Sequence, residues 1–292
     1  MKPNGGHLVS DYSFEATSRF VDFSGGKLHY HEAGEGPCLL LLHGSGPGVR
    51  GWANFQGNLP VFAKSFRCLI IDFPGYGESD PVAGEAIPKC VEAAVALLDA
   101  LGIERCHLLG NSLGGLVGSY IASQHPERVD RFVTIGGIGL NIFSPFPAEG
   151  INLLTAFAED PTRERLVEWL RSMVYDQSLV TEELIESRFK QATDPSTLAT
   201  IRAMYTKEAI GAITEFRREH PAETLAHLSA IEAPTLVTWG RDDRVNPIDT
   251  GLVPIRVIPN GEFHVFPNCG HWVMIECKEA FESLVLSFLR RT

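Results

Sequence analysis

The sequence predicts an α/β fold, with a mostly parallel sheet covered by helices on both faces and interrupted by a helical insertion. Three observations predict it. Short, continuously apolar runs bounded by turn residues recur along the chain, as strands buried on both faces do. Helical stretches alternate with them, the pattern of parallel strands joined by crossover helices. Between Leu140 and about Pro221 the strand signal vanishes and only helical periodicity remains.

Each element follows from a local pattern. Residues 19–23 and 27–32 alternate in polarity around Gly25 and Gly26, which predicts an antiparallel hairpin. The apolar runs 39–42, 68–73, 107–109 and 132–135 predict four core strands, with helices at 91–101 and 113–124 between them. In the insertion, helices are predicted at 162–174, 181–191 and 195–205. Thr181 followed by Glu182 and Glu183 has the pattern of an N-cap with an acidic first turn. Residues 235–239 and 263–266 add two late strands. Phe281, Leu284, Val285 and Phe288 fall at helical spacing and place the last helix at 278–289. The expected division is a core domain in two parts, residues 1–140 and 222–292, around a helical lid, residues 141–221. Such an insertion would cover the C-terminal edge of the strands, where sheets of this kind bind ligands.

Composition bounds the partners. With 292 residues, 44% of them hydrophobic, the chain can bury a large core. A net charge of −11 argues against nucleic acid or an anionic membrane surface as a partner. It leaves room for a small anionic ligand, because one local cation can hold one carboxylate. The stretch from Met1 to Phe14 is polar and lacks the apolar core of a signal peptide, and no apolar run approaches a membrane span. The six cysteines show no CxxC spacing, so neither a zinc site nor a disulfide framework is indicated. Cys38, Cys68 and Cys106 lie in or beside strand-like runs and read as buried free thiols. The expected compartment is a reducing one, the cytoplasm.

The chemistry concentrates in Gly110-Asn111-Ser112-Leu113-Gly114-Gly115, a G-x-S-x-G between a predicted strand and a predicted helix. A sharp turn there strains the serine backbone, and small residues on either side let it form, which sets the hydroxyl at the strand end as a nucleophile. An acid and a histidine follow in the order this arrangement requires. Gly240-Arg241-Asp242-Asp243 comes after the strand 235–239, and Cys269-Gly270-His271-Trp272 comes after the strand 263–266. All three groups would thus share one sheet edge, with His271 as the base and the acid fixing its tautomer. Local chemistry does not choose between Asp242 and Asp243. His43-Gly44-Ser45-Gly46-Pro47-Gly48 supplies a loop whose backbone can approach a substrate oxygen. The expected oxyanion hole is the N–H of Ser45 with the N–H of Leu113. As a phosphate loop the stretch fails, since no Lys-Ser/Thr follows the glycines. His43 precedes the nucleophile and reads as a residue that shapes backbone.

These residues define a serine hydrolase pattern of the α/β-hydrolase fold. Taken together, His43–Gly48, Trp52-Ala53-Asn54, Asp72–Asp80, Gly110–Gly115, Gly240–Pro247 and Cys269–Trp272 make the chain resemble the meta-cleavage-product hydrolases, nearly end to end. These enzymes cleave a carbon–carbon bond in vinylogous diketo acids. The resemblance implies a triad of Ser112, Asp243 and His271. It implies that Asn54, Asn111, Arg188 and Trp272, with Gly44, hold the carboxylate and oxo end of an anionic dienoate. It further implies that Met173 takes the place of a lid phenylalanine found in biphenyl-type relatives. No metal or organic cofactor is implied, and a homodimer or larger homo-oligomer is expected. Ser18-Arg19-Phe20, residues 29–34, residues 139–143, Arg202-Ala203-Met204 and residues 244–247 are most similar to the steroid-degradation branch, which acts on a seco-steroid acid. Ser45 departs from that branch, where glycine stands, as does the stretch Val273-Met274-Ile275-Glu276-Cys277. Two other functions share parts of the pattern. A general carboxylesterase would use the same triad. A ligand receptor on a hydrolase fold would not need the triad, the oxyanion loop and the lid arginine together.

Overall fold

The computed structural model describes residues 11–23 and 25–291; most of the polar N-terminal stretch lies outside the described residues. The eight strands are β1 (Ser18–Phe23), β2 (Gly26–Ala33), β3 (Cys38–Leu42), β4 (Arg67–Ile71), β5 (Cys106–Asn111), β6 (Val129–Ile135), β7 (Thr235–Gly240) and β8 (Gly261–Phe266). They form one sheet in the order β1-β2-β4-β3-β5-β6-β7-β8. β1 pairs with β2 and β2 with β4 antiparallel, and every later pairing is parallel. The predicted hairpin is present, in register from Ser18 opposite His31 to Phe23 opposite Gly26.

The longer helices are α1 (Ala86–Ala100), α2 (Leu113–Gln124), α3 (Glu149–Glu159), α4 (Arg163–Met173), α5 (Glu182–Ala192), α6 (Pro195–Tyr205), α7 (Lys207–Glu219) and α8 (Lys278–Leu289). Side chains of a strand alternate between faces, and both faces here are apolar. Leu39, Leu41, Ile70 and Leu109 belong to one core with Phe281 and Phe288 of α8 and Leu166, Trp169 and Leu170 of α4. Leu40, Leu42, Leu69 and Leu108 belong to the other, with Leu97 of α1 and Val117 and Ile121 of α2. Burying each such side chain stabilises the fold by roughly 1.5–3 kcal/mol. The helices α3 to α7 lie between β6 and β7, and α4 packs into the first core rather than standing apart from it. Thr181 caps α5 by accepting from the Leu184 N–H, and Thr162 caps α4 by accepting from Arg165. Among the described residues no helix is long and apolar enough to cross a membrane. All six cysteines are free, and five are buried.

A buried polar network ties β2 to the loop after β4. His29 Nδ1 meets Asp72 Oδ2 at 2.8 Å, and Asp72 also accepts from the Gly51 and Glu78 N–H groups. Next to it His31 is fully buried against Thr17 and Trp52. Burial, helped by His29 and Arg50 and opposed by Asp72, pushes the His31 pKa down to about 4. In an unfolded chain histidine titrates near 6.5. Between about pH 6.5 and 4 the unfolded state therefore takes up a proton that the folded state refuses, and stability falls as pH falls. We expect a loss on the order of 2–3 kcal/mol from His31 across that window, with nothing further below it. Urea midpoints measured at about pH 7.5 and about pH 5 check this; an unchanged midpoint would show that His31 titrates normally.

Candidate active site

Ser112 sits between β5 and α2 with φ 51° and ψ −112°, one of two non-glycine residues with positive φ among the described residues. That backbone region is strained for a residue with a side chain. The neighbouring glycines make it attainable. A Cβ on Gly110 would run into the Gly114 carbonyl, and one on Gly114 would run into the Leu42 carbonyl at the end of β3. The turn is thus clamped between two strands, and the Ser112 N–H donates to Ile135 O at 2.8 Å.

The acid and the histidine come from the loops after β7 and β8. His271 Nδ1 and Asp243 Oδ2 are 2.7 Å apart, and both side chains are 1% exposed. Asp243 Oδ1 accepts from the N–H groups of Val245 and Asn246 at 2.8 and 2.9 Å, which fixes the carboxylate in place. Asp242 points elsewhere, to Arg241 at 3.2 Å, and is partly exposed. The His271 N–H donates to the Met173 carbonyl at 2.7 Å. Gly136 packs against His271 and Asp243, and Gly137 against the Ser112 carbonyl, so β6 ends between the serine and the histidine–acid pair. Among the described residues no hydrogen bond within 3.5 Å joins Ser112 to His271.

A polar wall surrounds the loop after β3. The Gly44 N–H donates to Asn54 Oδ1 at 2.9 Å, while Asn54 Nδ2 is buried with no partner. A Cβ on Gly44 would lie 2.9 Å from Asn111 Oδ1 and 3.5 Å from Ser112 Cβ, so only glycine leaves this approach open. Arg188, on α5, is 3% exposed and donates to the Gly48 carbonyl at 2.9 Å. Its guanidinium lies 5.4 Å from the Trp272 ring centroid. Among the described residues no carboxylate pairs with it. Burial, with Arg50 acting in the same direction, pushes its pKa down to about 10. Ser45 is buried, and its hydroxyl meets the hydroxyl of Tyr205 at the end of α6. His43 serves the backbone, as its type and place suggest: its ring meets the Gly44 carbonyl and accepts from the Phe73 N–H.

On the other side of Ser112 lies a cavity of about 1020 Å³ lined largely by apolar groups. Ser112 and Leu113 line its inner end, with α1 and α2 on one side and α6, α7 and Phe146 on the other. Gly44, Asn54, Asn111, Arg188, Trp272 and Met173 do not line it. Met173 is packed in the core at 3% exposure, and its carbonyl is what reaches His271. Sequence reasoning did not single out Tyr205, Phe146 or Arg217, all of which line the cavity. A signal for α7 was present in the spacing of Ile210, Ile213 and Arg217, which repeats one helix face. Nor was Glu276 singled out, whose carboxylate accepts from the N–H groups of Tyr175, Asp176 and Gly270. Among the described residues no cluster of three or more His, Cys, Asp or Glu is arranged to hold a metal ion.

Taken alone, this arrangement can deprotonate a serine, hold an oxyanion near a helix N-terminus, and bind an anion beside Arg188. The profile of the α/β hydrolase fold matches residues 37–277, and the chain belongs to that family. Within the family its relatives are meta-cleavage-product hydrolases. A 2-hydroxy-6-oxononadienedioate/2-hydroxy-6-oxononatrienedioate hydrolase of Burkholderia vietnamiensis is 42% identical over 94% of this chain and 96% of its own length. A 2-hydroxy-6-oxo-6-phenylhexa-2,4-dienoate hydrolase of Burkholderia cepacia is 37% identical over 96% of this chain and 99% of its own. Among solved structures, a meta-cleavage product hydrolase of Pseudomonas fluorescens superposes with a TM-score of 0.83 at 30% identity, over 94% of this chain and 97% of its own.

Proposed function

We propose that this enzyme hydrolyses a carbon–carbon bond in a 2-hydroxy-6-oxohexa-2,4-dienoate-type meta-cleavage product, releasing a 2-hydroxydienoate and a carboxylic acid. The observation that carries the reading beyond ester hydrolysis is Arg188, a buried cation with no carboxylate partner on the polar wall beside Ser112. A buried, unpaired charge is costly, and an anionic substrate end relieves that cost. The unpartnered Asn54 Nδ2 supplies a further donor for the same end.

Carbon leaves only as a stabilised enolate. A proton must therefore first move from the dienol hydroxyl to the carbon that will be expelled, giving the keto tautomer, held by Arg188, Asn54, Asn111, Gly44 and Trp272. Ser112 then attacks the distal ketone as His271 takes its proton, with Asp243 fixing the imidazole tautomer. The oxyanion lies between the N–H groups of Ser45 and Leu113. Its collapse breaks the carbon–carbon bond, His271 passes its proton to the expelled dienolate to give the 2-hydroxydienoate, and an acyl-serine remains. Water, deprotonated by His271, hydrolyses that ester. The electron sink lies within the substrate, so the scheme calls on no cofactor. Residues 141–221 act as a lid over the site. The large apolar cavity fits a bulky acyl group, a seco-steroid acid or an aryl ketone, and the free thiols fit a cytoplasmic enzyme.

The decisive test is a panel of dienoates differing in the group on the ketone, followed by loss of visible absorbance, beside simple neutral esters. Ester turnover with no action on any dienoate would overturn the reading in favour of a carboxylesterase. Arg188→Gln is expected to weaken transition-state binding of the dienoate by roughly 2–5 kcal/mol. Hydrolysis of a neutral ester, which does not use that contact, should change little. Equal losses in kcat/KM on both substrates would instead mean that Arg188 serves only to fold the insertion.

A further inference from the structure

The loop after β3 is pinned at its two ends and free in the middle. At one end the Gly44 N–H donates to Asn54 Oδ1 and the Gly44 carbonyl meets the His43 ring. At the other the Gly48 carbonyl accepts from Arg188. Between them, among the described residues, Ser45 makes no backbone hydrogen bond, and the Leu113 N–H has no partner either. Gly46 and Gly48 carry positive φ, 123° and 63°, so local stereochemistry does little to fix the peptide at Ser45. Its one polar tie is the hydroxyl of Tyr205, the last residue of α6.

That end of α6 is seated on the core. The Tyr76 hydroxyl donates to Met204 Sδ at 3.7 Å, and a Cβ on Gly75 would lie 2.6 Å from Thr200 Oγ1. Tyr205 also lines the cavity with Ser112 and Leu113. Burial, opposed by the bond to Ser45, pushes the Tyr205 pKa up, so the phenol keeps its proton.

We propose that Tyr205 is a positioning residue for the oxyanion hole: through the Ser45 side chain it holds the Ser45 N–H beside that of Leu113, so the hole is complete only when α6 is seated. This rests on the oxyanion hole proposed above. A donor stabilises a developing oxyanion to the extent that it is held in place before the reaction. A flexible glycine-rich loop does not hold it so, and a hydroxyl bridge to a seated helix does. Every substrate attacked by Ser112 would depend on this tie, whatever its acyl arm.

The test is Tyr205→Phe, which keeps the ring and removes the bridge. Losing an oxyanion donor outright costs about 10²- to 10³-fold in kcat, so a donor left in place but loosened should cost about 10- to 100-fold. The loss should fall on kcat for a dienoate and for a neutral ester alike, with KM little changed. Ser45→Ala should cost as much, and the double variant no more than either single one. A trifluoromethyl ketone, which Ser112 attacks to leave an oxyanion in the hole, should bind more weakly by a similar factor. Dienoate binding to the Ser112→Ala protein should be the same with or without Tyr205→Phe. Thermal unfolding checks that each variant is folded. An unchanged kcat on both substrates, a loss confined to KM, losses that add in the double variant, or unchanged binding of the trifluoromethyl ketone would overturn the proposal. If the unaltered enzyme turned over esters but no dienoate, and Tyr205→Phe slowed the esters as expected, the carbon–carbon reading alone would fall.

Discussion

Ser112→Ala is expected to lower turnover of a dienoate by about 10⁴-fold or more while leaving the fold intact. The hydroxyl oxygen is the only heavy atom removed. Alanine meets the same strain at φ 51°, and the clamp formed by Gly110, Gly114 and Leu42 does not depend on the hydroxyl. Binding should persist, because Arg188, Asn54 and Trp272 are untouched. The variant should therefore still shift the absorbance of the dienoate on mixing and then stall. Stopped-flow spectra together with circular dichroism check both halves. A variant that turned over at a large fraction of the wild-type rate would show that the bond is broken without attack by this serine.

Asp243→Asn should cost about 10⁴-fold in kcat, with Asp242→Asn near neutral. The asymmetry follows from geometry. Asp243 holds His271 Nδ1 at 2.7 Å and is itself pinned by two backbone N–H groups. An asparagine there would either donate to the ring or lose the contact, and the imidazole would present the wrong nitrogen to Ser112. Asp242 faces Arg241 near the surface, where an ion pair is worth little. Equal effects of the two substitutions on kcat would remove the distinction between the two acids.

Much of the framework was legible because it is written in local chemistry. The strand runs at 39–42 and 107–109 are apolar on both faces, so their burial needs no long-range information. The strain at Ser112 was legible because glycines at fixed offsets are required for it. Other parts depend on partners far away in the chain. α3 begins Glu149-Gly150-Ile151-Asn152, which holds weak helix formers, and its register is set by packing against α4 and α6. α7 carries Gly211 and buries little beyond Ile210, so its apolar stripe is thin and was not recognised. The contact of Ser45 with Tyr205 joins residues 160 apart, and the preference for Asp243 over Asp242 depends on how one loop turns. Met173 shows the limit of residue-type reasoning, since it is the carbonyl, which every residue has, that meets His271.

The bracket around Glu276 bears on how such enzymes can be re-engineered. Its carboxylate grips the first residues after α4 and, with its other oxygen, the backbone just before His271, while the Met173 carbonyl takes the His271 N–H. The exit of α4 and the histidine loop are therefore one structural joint, although about 100 residues separate them. Helices α6 and α7, which follow the joint and the Arg188-bearing α5, can be exchanged as a cassette, with Tyr205 kept, to retune which acyl arms fit. A graft that cuts between residues 173 and 176 severs the mounting of the base itself. A chimaera made there would lose activity on every substrate, however well its new helices suited the arm.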